Sequence, residues 1–208
     1  MLYQDLIDSL IQDGWLKTPR IISAFKKIKR ADFLPPESKN LADVNEAFPI
    51  GWGQTISQPL VVAFMLELLE PKEGDKVLDI GSGSGWQTAM LCQIVGNQGF
   101  VYAVERIAEL KEFGQANVQK YDFKNVEFVC ADGSKKFKNK APFDKIIAAA
   151  SAQEIPQAWK NQLKIGGHLV CPVKNSIWLL IKKQDGSFEE KEHQGFVFVP
   201  LIKDEKTN

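Results

Sequence analysis

The sequence predicts an α/β protein built on a doubly wound, mostly parallel β-sheet. From about residue 59 onward, short apolar runs alternate with amphipathic helical segments, and a glycine-rich turn follows the first run. Strands that alternate with helices are joined by crossovers, which makes neighbouring strands parallel. The last three apolar runs have little helical sequence between them, so we expect an antiparallel edge at the C-terminal side of the sheet.

Residues 1–58 form a predicted N-terminal helical extension that ends in a loop. A second helix is expected to begin at Thr18-Pro19, a favourable N-cap followed by proline at the first helical position. After the prolines at 35 and 36, the sequence predicts an irregular segment up to about Gln58. The predicted apolar faces are Leu6, Ile7, Leu10 and Ile11 in the first helix and Ile22, Phe25 and Ile28 in the second.

Residues 59–202 form the predicted Rossmann-like sheet domain, and 203–208 a polar tail, within one compact domain. Helices are expected to begin at Pro59 and near Pro156, the latter ending at Gly166-Gly167 as a C-cap. Asp185-Gly186 is predicted to be the turn that joins the last two strands. The predicted strands are 76–80, 100–104, 126–130, 143–148, 168–173, 177–182 and 196–200.

Composition narrows the classes of partner. The chain has 26 basic and 26 acidic residues, so there is no large positive field to attract nucleic acid. No apolar run reaches the roughly 20 residues of a membrane span, and no signal peptide is evident. The three cysteines, Cys92, Cys130 and Cys171, lie in apolar stretches and are expected to be buried thiols of a reducing compartment. We therefore expect a cytoplasmic protein with no membrane or nucleic-acid partner.

Three predicted strand ends carry residue types that a nucleoside cofactor requires. The first is Asp79 with the turn Gly81, Ser82, Gly83, Ser84 and Gly85, where glycines allow close approach and a helix N-terminus presents free N–H groups. The second is Glu105, which can accept hydrogen bonds from ribose hydroxyls, and the third is Asp132-Gly133, placed to contact an adenine edge. Because parallel strands end at one edge, we expect these groups to meet there.

The glycine turn alone leaves three interpretations open. A dinucleotide fingerprint is G-x-G-x-x-G, but here the third glycine comes one residue early, at Gly85, and Trp86 stands where a small residue is needed. The acid Asp79 suits a cationic sulfonium better than a pyrophosphate. We therefore favour S-adenosylmethionine, with a dinucleotide site or a purely structural loop as the alternatives.

The segment 49–59, P-I-G-W-G-Q-T-I-S-Q-P, precedes the first sheet strand and is expected to form a loop over the cofactor pocket. It resembles the substrate loop of the protein-L-isoaspartate O-methyltransferase family. The resemblance continues in V-L-D-I-G-S-G-S-G-W-Q-T-A (77–89), V-Y-A-V-E-R-I-A-E-L (101–110), D-G-S (132–134), A-P-F-D (141–144) and Q-L-K-I-G-G-H-L-V-C-P-V (162–173). It spans nearly the whole chain, from R-A-D-F-L-P (30–35) to F-V-P-L (198–201).

The resemblance implies a class I S-adenosylmethionine methyltransferase. Its reaction methylates the free carboxylate of L-isoaspartyl residues in damaged peptides and proteins, and the ester collapses to a succinimide. It implies Ser57 as the active-site residue, with Thr55 and Ile56 beside it in substrate binding. It assigns cofactor contacts to Asp79, Gly81, Ser82, Gly83, Ser84, Glu105, Asp132 and Gly133. We expect a monomer.

Ser57 has a second interpretation, as the N-cap of the helix that begins at Pro59.

Several residues near the acceptor pocket also depart from the family pattern. Trp52 replaces a smaller or polar residue, and Asp43-Val44-Asn45 stands where the family often shows Tyr-x-Asp. Asp79 replaces a glutamate and Trp86 a tyrosine, while 148–153 reads A-A-A-S-A-Q where many members have T-A-A-A-P.

Other residues are interpreted as structural. Cys171 is expected in the core, Trp15, Trp159 and Trp178 in packing, and the lysines at 135, 136, 138 and 140 in a solvated loop. His168 and His193 have no third ligand at metal spacing, so no metal is expected.

Two alternative functions remain: methylation of a small metabolite or nucleobase, and cofactor binding without catalysis. The Asn/Asp-Pro-Pro-aromatic motif of base N-methylation is absent after 143–148.

Overall fold

The computed structural model describes residues 2–135, 137 and 139–202. The predicted polar tail, 203–208, and the lysines at 136 and 138 lie outside the described residues. The N-terminal extension contains α1 (Tyr3–Gln12) and α2 (Pro19–Lys27), followed by two 3-10 helices, Arg30–Phe33 and Pro36–Leu41. Thr18 is the N-cap of α2, as predicted, although the helix buries Ile21, Ala24 and Phe25 while Ile22 is only half-buried.

The segment predicted to be irregular up to Gln58 instead contains a β-hairpin, so that prediction was wrong. Strand β1 (Phe48–Gly51) pairs antiparallel with β2 (Gln54–Ile56). The turn needs positive φ at three consecutive residues, Gly51 at 93°, Trp52 at 52° and Gly53 at 70°. Glycines on both sides of Trp52 adopt this conformation easily, which explains how so short a segment reverses direction.

The predicted α/β fold with a mostly parallel sheet is confirmed. Its seven strands are β3 (Lys76–Ile80), β4 (Phe100–Glu105), β5 (Val126–Cys130), β6 (Phe143–Ala148), β7 (Leu163–Val173), β8 (Ser176–Lys182) and β9 (Phe188–Gln194). They lie in the order β5-β4-β3-β6-β7-β8-β9, parallel from β5 to β7 and antiparallel at β8 and β9. The helices are α3 (Pro59–Leu69), α4 (Trp86–Val95), α5 (Ala108–Gln119) and α6 (Gln157–Gln162).

Two predictions at the C-terminal side were wrong. Gly166 and Gly167 lie inside β7 instead of capping a helix, since α6 ends at Gln162. The strand predicted at 196–200 is not formed, and the turn at Asp185-Gly186 leads into β9. The 196–200 segment instead passes the end of β6, where Ser151 N donates to Val199 O (2.8 Å) and Leu201 N donates to Ser151 O (2.7 Å).

The two faces of the sheet bury separate apolar clusters. Alternate residues of one strand point to opposite faces, so Val77 belongs to one cluster and Leu78 to the other. The first cluster also contains α1, α2 and α3 residues such as Leu6, Phe25 and Leu66. The N-terminal extension therefore shares one apolar core with the sheet.

The cysteine prediction holds for two of three residues. Cys92 and Cys171 are buried thiols, and burial raises the pKa of Cys171 to about 12. Cys130 is exposed, so its predicted burial was wrong. It is the last residue of β5, the strand at one edge of the sheet, where a side chain can face solvent.

Candidate active site

A cavity of about 410 Å³ opens at the carboxyl ends of β3, β4 and β6. This is where parallel sheets bind ligands. Nine of the site residues predicted from the sequence line this cavity, and they come from the hairpin and from the strand ends. They are Thr55, Ile56, Ser57, Gly81, Ser82, Gly83, Ser84, Glu105 and Gly133. The remaining two, Asp79 and Asp132, are buried and do not line the cavity.

The glycine turn between β3 and α4 follows a tightly constrained path. Gly81, Gly83 and Gly85 have φ of 75°, 53° and 85°. A Cβ atom at Gly85 would lie 2.7 Å from Gly114 O of α5, so only glycine fits against that helix. The Ser82 hydroxyl in this turn is buried and has no hydrogen-bond partner. A buried polar atom without a partner is costly and marks where a polar ligand atom fits.

Asp79, at the start of this turn, is bonded to the first turn of α4. Its side chain is fully buried, with Oδ1 accepting from Gln87 Nε2 (2.8 Å) and Oδ2 from Thr88 Oγ1 (2.6 Å). Burial raises the pKa of this carboxyl to about 6, and the negative charge of Glu105 adds to the rise, while the two hydrogen bonds oppose it. Asp79 thus fixes the first turn of α4 and provides a negative charge behind the cavity.

Glu105 ends β4 and faces the cavity. Its Oε1 accepts from Arg106 N (2.8 Å) and Ile107 N (3.0 Å), and its Oε2 accepts from Gly83 N (3.1 Å). A carboxylate has about four acceptor positions, so these three bonds fix its orientation and leave capacity for a ligand hydroxyl.

Asp132 and Gly133 follow β5, and of the two Gly133 lines the cavity. Asp132 Oδ1 accepts from the backbone N (2.9 Å) and hydroxyl (2.7 Å) of Ser134, and Lys135 Nζ lies 3.4 Å from its Oδ2. Gly133 O accepts from the indole N–H of Trp159 at 2.7 Å. A Cβ at Gly133 would lie 2.4 Å from Ile80 Cγ2, so the backbone can pass there only as glycine.

Ser57 lies between the hairpin and α3, half-buried at the cavity wall. The interpretation of Ser57 as the N-cap of α3 was wrong. The N-cap position is Gln58, without a side-chain cap bond. The oxygen that accepts from the helix instead belongs to Asn45, whose Oδ1 receives Leu60 N at 3.0 Å.

Arg30 is a residue of the site region that the sequence did not single out. Its guanidinium is completely buried between the rings of Phe48 and Trp86, 5.5 and 5.3 Å from their centroids. Burial lowers its pKa to about 10, so it stays protonated at neutral pH. In the sequence, Arg30 is only the first residue of the motif R-A-D-F-L-P. A basic residue that follows several lysines gives no signal that its side chain will be buried.

The C-terminal segment is a second feature that the sequence missed. Residues 197–202 line the cavity, with Val197 and Ile202 86% and 48% exposed. The apolar run at 196–200 predicted a strand, whereas the two backbone bonds to Ser151 hold this segment beside the end of β6. They form one wall of the cavity.

The site has no metal cluster among the residues that the structure describes. His168 Nδ1 lies 3.2 Å from Leu68 O, and the ring of His193 packs against Phe64.

In the described part of the basic run, Lys140 pairs with Glu127 at 2.7 Å. Within the same described residues, no helix is both long and apolar enough to cross a bilayer.

Comparison with known proteins decides the family. The sequence model of the family described as Protein-L-isoaspartate(D-aspartate) O-methyltransferase (PCMT) matches residues 1–206. The chain belongs to this family. The resemblance inferred from the glycine turn and the substrate loop is thereby confirmed.

Relatives named protein-L-isoaspartate O-methyltransferase match nearly end to end. One from Flavobacterium psychrophilum is 47% identical, with 98% of this chain and 95% of the relative covered. One from Thermococcus onnurineus is 43% identical, with 97% and 94% covered.

Solved structures of the family share the fold. A Plasmodium falciparum chain described as a protein-L-isoaspartate O-methyltransferase beta-aspartate methyltransferase (PCMT), in complex with S-adenosyl-L-homocysteine, superposes with a TM-score of 0.87 at 21% identity, covering 97% of this chain and 99% of that one. Another chain, named protein-L-isoaspartate O-methyltransferase, gives a TM-score of 0.86 at 27% identity, covering 98% and 67%. These values show that this chain has the PCMT fold from α1 to the C-terminal segment.

Proposed function

We propose that this protein transfers a methyl group from S-adenosylmethionine to the free carboxylate of L-isoaspartyl residues in damaged peptides and proteins. One observation carries the proposal. The residues of the family's substrate loop, Thr55 to Ser57, line the same cavity as the glycine turn and Glu105. A donor in the turn and an acceptor at the hairpin would therefore share one space.

The residues present fit S-adenosylmethionine. Ser82 offers a buried hydroxyl without a partner, Gly83 lines the cavity without a side chain, and Glu105 retains acceptor capacity for ribose hydroxyls. Asp79 supplies a buried negative charge nearby, which favours a cationic ligand. When bound, this cofactor supplies a methyl group attached to positively charged sulfur.

The chain's own residues have a light chemical task. A carboxylate with a pKa near 4 is already ionised at neutral pH, so no general base is needed. We assign Ser57 the role of donating a hydrogen bond that holds this carboxylate without neutralising it. The hairpin and the 197–202 segment line the cavity and can position the acceptor against the donor. Positioning of this kind supplies up to about 7–11 kcal/mol of rate enhancement.

The same proposal covers partners and location. The acceptor is an isoaspartyl side chain in a peptide or protein, and the enzyme works as a monomer in the cytoplasm. The three free cysteines support a reducing compartment.

The test is transfer of labelled methyl from S-adenosylmethionine to two peptides that differ only in an aspartyl or isoaspartyl linkage. Base-labile label on the isoaspartyl peptide alone is the expected result, since methyl esters hydrolyse in base. Label on neither peptide, with S-adenosylhomocysteine still bound, would favour a non-catalytic binding protein. Base-stable label on a small metabolite or nucleobase would favour another acceptor.

A further inference from the structure

The start of α3 is capped from a distance. The first backbone N–H groups of a helix have no partner within it, and a side chain just before the helix normally accepts one of them. Pro59 has no N–H, and the next one, of Leu60, donates to Asn45 Oδ1 at 3.0 Å. The cap of α3 is thus supplied by a residue 15 positions earlier in the chain.

Asn45 is itself held in place from two sides. Its backbone carbonyl accepts from Gln58 Nε2 at 2.9 Å, so Asn45 and the helix start exchange two bonds. The carbonyls on either side, Val44 O and Glu46 O, accept from Arg30 at 2.8 and 2.6 Å. Arg30 also donates to Ser57 O at 3.2 Å. The Asn45 segment and the Ser57 segment are therefore fixed to each other through Arg30 as well.

This arrangement determines what the Ser57 hydroxyl can do. Serine is a preferred helix cap, and Ser57 directly precedes the N-cap position Gln58. With Asn45 occupying the Leu60 N–H, the Ser57 side chain is not needed for that bond and lies at the cavity wall. If the Asn45 oxygen were removed, Ser57 would be the nearest hydroxyl along the sequence that could replace it.

We propose that Asn45 is a positioning residue for methyl transfer: by capping α3 it keeps the Ser57 hydroxyl available to the acceptor carboxylate. This inference rests on the proposed function and deepens it. It also accounts for Asn45, which stands where the family often has aspartate, because either residue offers the same oxygen to Leu60 N.

The test compares Asn45→Ala with Asn45→Asp, each with and without Ser57→Ala, on an isoaspartyl peptide. We expect Asn45→Ala to lower kcat about tenfold while the Kd for S-adenosylhomocysteine stays within about twofold, since only acceptor geometry is lost. Asn45→Asp should recover most of the activity because it keeps the capping oxygen. In the Ser57→Ala background, Asn45→Ala should add little further loss, because residues that act through one another are not additive.

Hydrogen exchange provides a readout that does not depend on activity. The Leu60 amide should exchange faster in Asn45→Ala and stay protected in Asn45→Asp. Unchanged exchange, full turnover of Asn45→Ala, or an equal loss from Asn45→Ala with and without Ser57 would each overturn the inference. Failure of the wild-type protein to methylate the peptide would instead refute the proposed function, and Leu60 exchange would still test the cap.

Discussion

Two buried acids define the site at the scale of single residues, and their partners differ. Asp79 is bonded by side chains of α4, whereas Glu105 is bonded by three backbone N–H groups. Backbone donors fix the Glu105 carboxylate rigidly toward the cavity, while Gln87 and Thr88 can reorient their amide and hydroxyl groups. Glu105 is therefore suited to orient a ligand, and Asp79 to supply charge.

The charge of Asp79 should make cofactor binding depend on pH. Burial raises its folded pKa to about 6, above an unfolded value near 3.9. Its contribution to folding stability is therefore full below about pH 4 and lost as pH rises through about 6. The carboxylate that attracts a cation appears over the same upper range, so S-adenosylmethionine affinity should rise by up to about tenfold between pH 5 and 7.

Titration calorimetry at several pH values measures this, with Asp79→Asn as the matched control. The asparagine keeps the size and can still bond Gln87 and Thr88, but it does not ionise. We expect a flat affinity profile for this variant. Equal pH slopes for the variant and the wild-type protein would show that another group carries the effect.

At the scale of elements, the contact between the glycine turn and α5 determines the path of the turn along the cavity. Gly85 faces Gly114 of α5, and a Cβ on Gly114 would in turn lie 2.4 Å from Gly83 O. Asn117 of the same helix donates from Nδ2 to Ser84 O at 3.1 Å. Two facing glycines therefore allow the turn and the helix to touch backbone to backbone.

Gly85→Ala should destabilise the fold by more than about 4 kcal/mol, because it adds a backbone clash to left-handed strain. Gly74→Ala is the matched control, since Gly74 has φ of 83° but a Cβ there meets nothing within 4 Å. It should cost about 1–2 kcal/mol from strain alone. Denaturant unfolding of both variants measures the difference, and equal losses would mean that the α5 contact is not limiting.

The elements that could be predicted from sequence are those whose burial leaves a pattern. The strands at 76–80, 126–130 and 143–148 have the predicted bounds because apolar runs between helices have few other arrangements. Strand β9 was missed since its largely exposed sequence F-E-E-K-E-H-Q has no apolar face, as an edge strand allows. The hairpin was missed because its strands are short and one contains proline.

At the scale of the whole molecule, the N-terminal extension is docked so that the hairpin lies over the glycine turn. Tyr121, just after α5, donates to Asp32 Oδ2 at 2.6 Å and accepts from Lys29 N at 2.9 Å. Ile50 Cδ1 of the hairpin would lie 3.6 Å from a Cβ on Gly83. The two halves of the cavity therefore come from parts of the chain that the N-terminal core holds together.

The candidate site was predictable where a residue lies at a strand end or in a family motif. The convergence of Glu105, Gly133 and the glycine turn follows from parallel topology alone. The roles of Arg30 and Asn45 did not follow, because they depend on bonds between segments 12 to 27 residues apart that have no periodic signal. The wall at 197–202 was missed because its apolar sequence also fits a strand, whereas its position depends on backbone bonds to Ser151.

Ser57→Ala tests most directly the central claim that donor and acceptor meet in one cavity with separate contacts. Steady-state methylation of an isoaspartyl peptide and calorimetric binding of S-adenosylhomocysteine should be measured on the same preparations. Loss of one hydrogen bond to a charged group predicts a fall in kcat of about 10- to 100-fold, with cofactor Kd changed less than about twofold. Unchanged turnover, or an equal fall in turnover and cofactor affinity, would contradict the account.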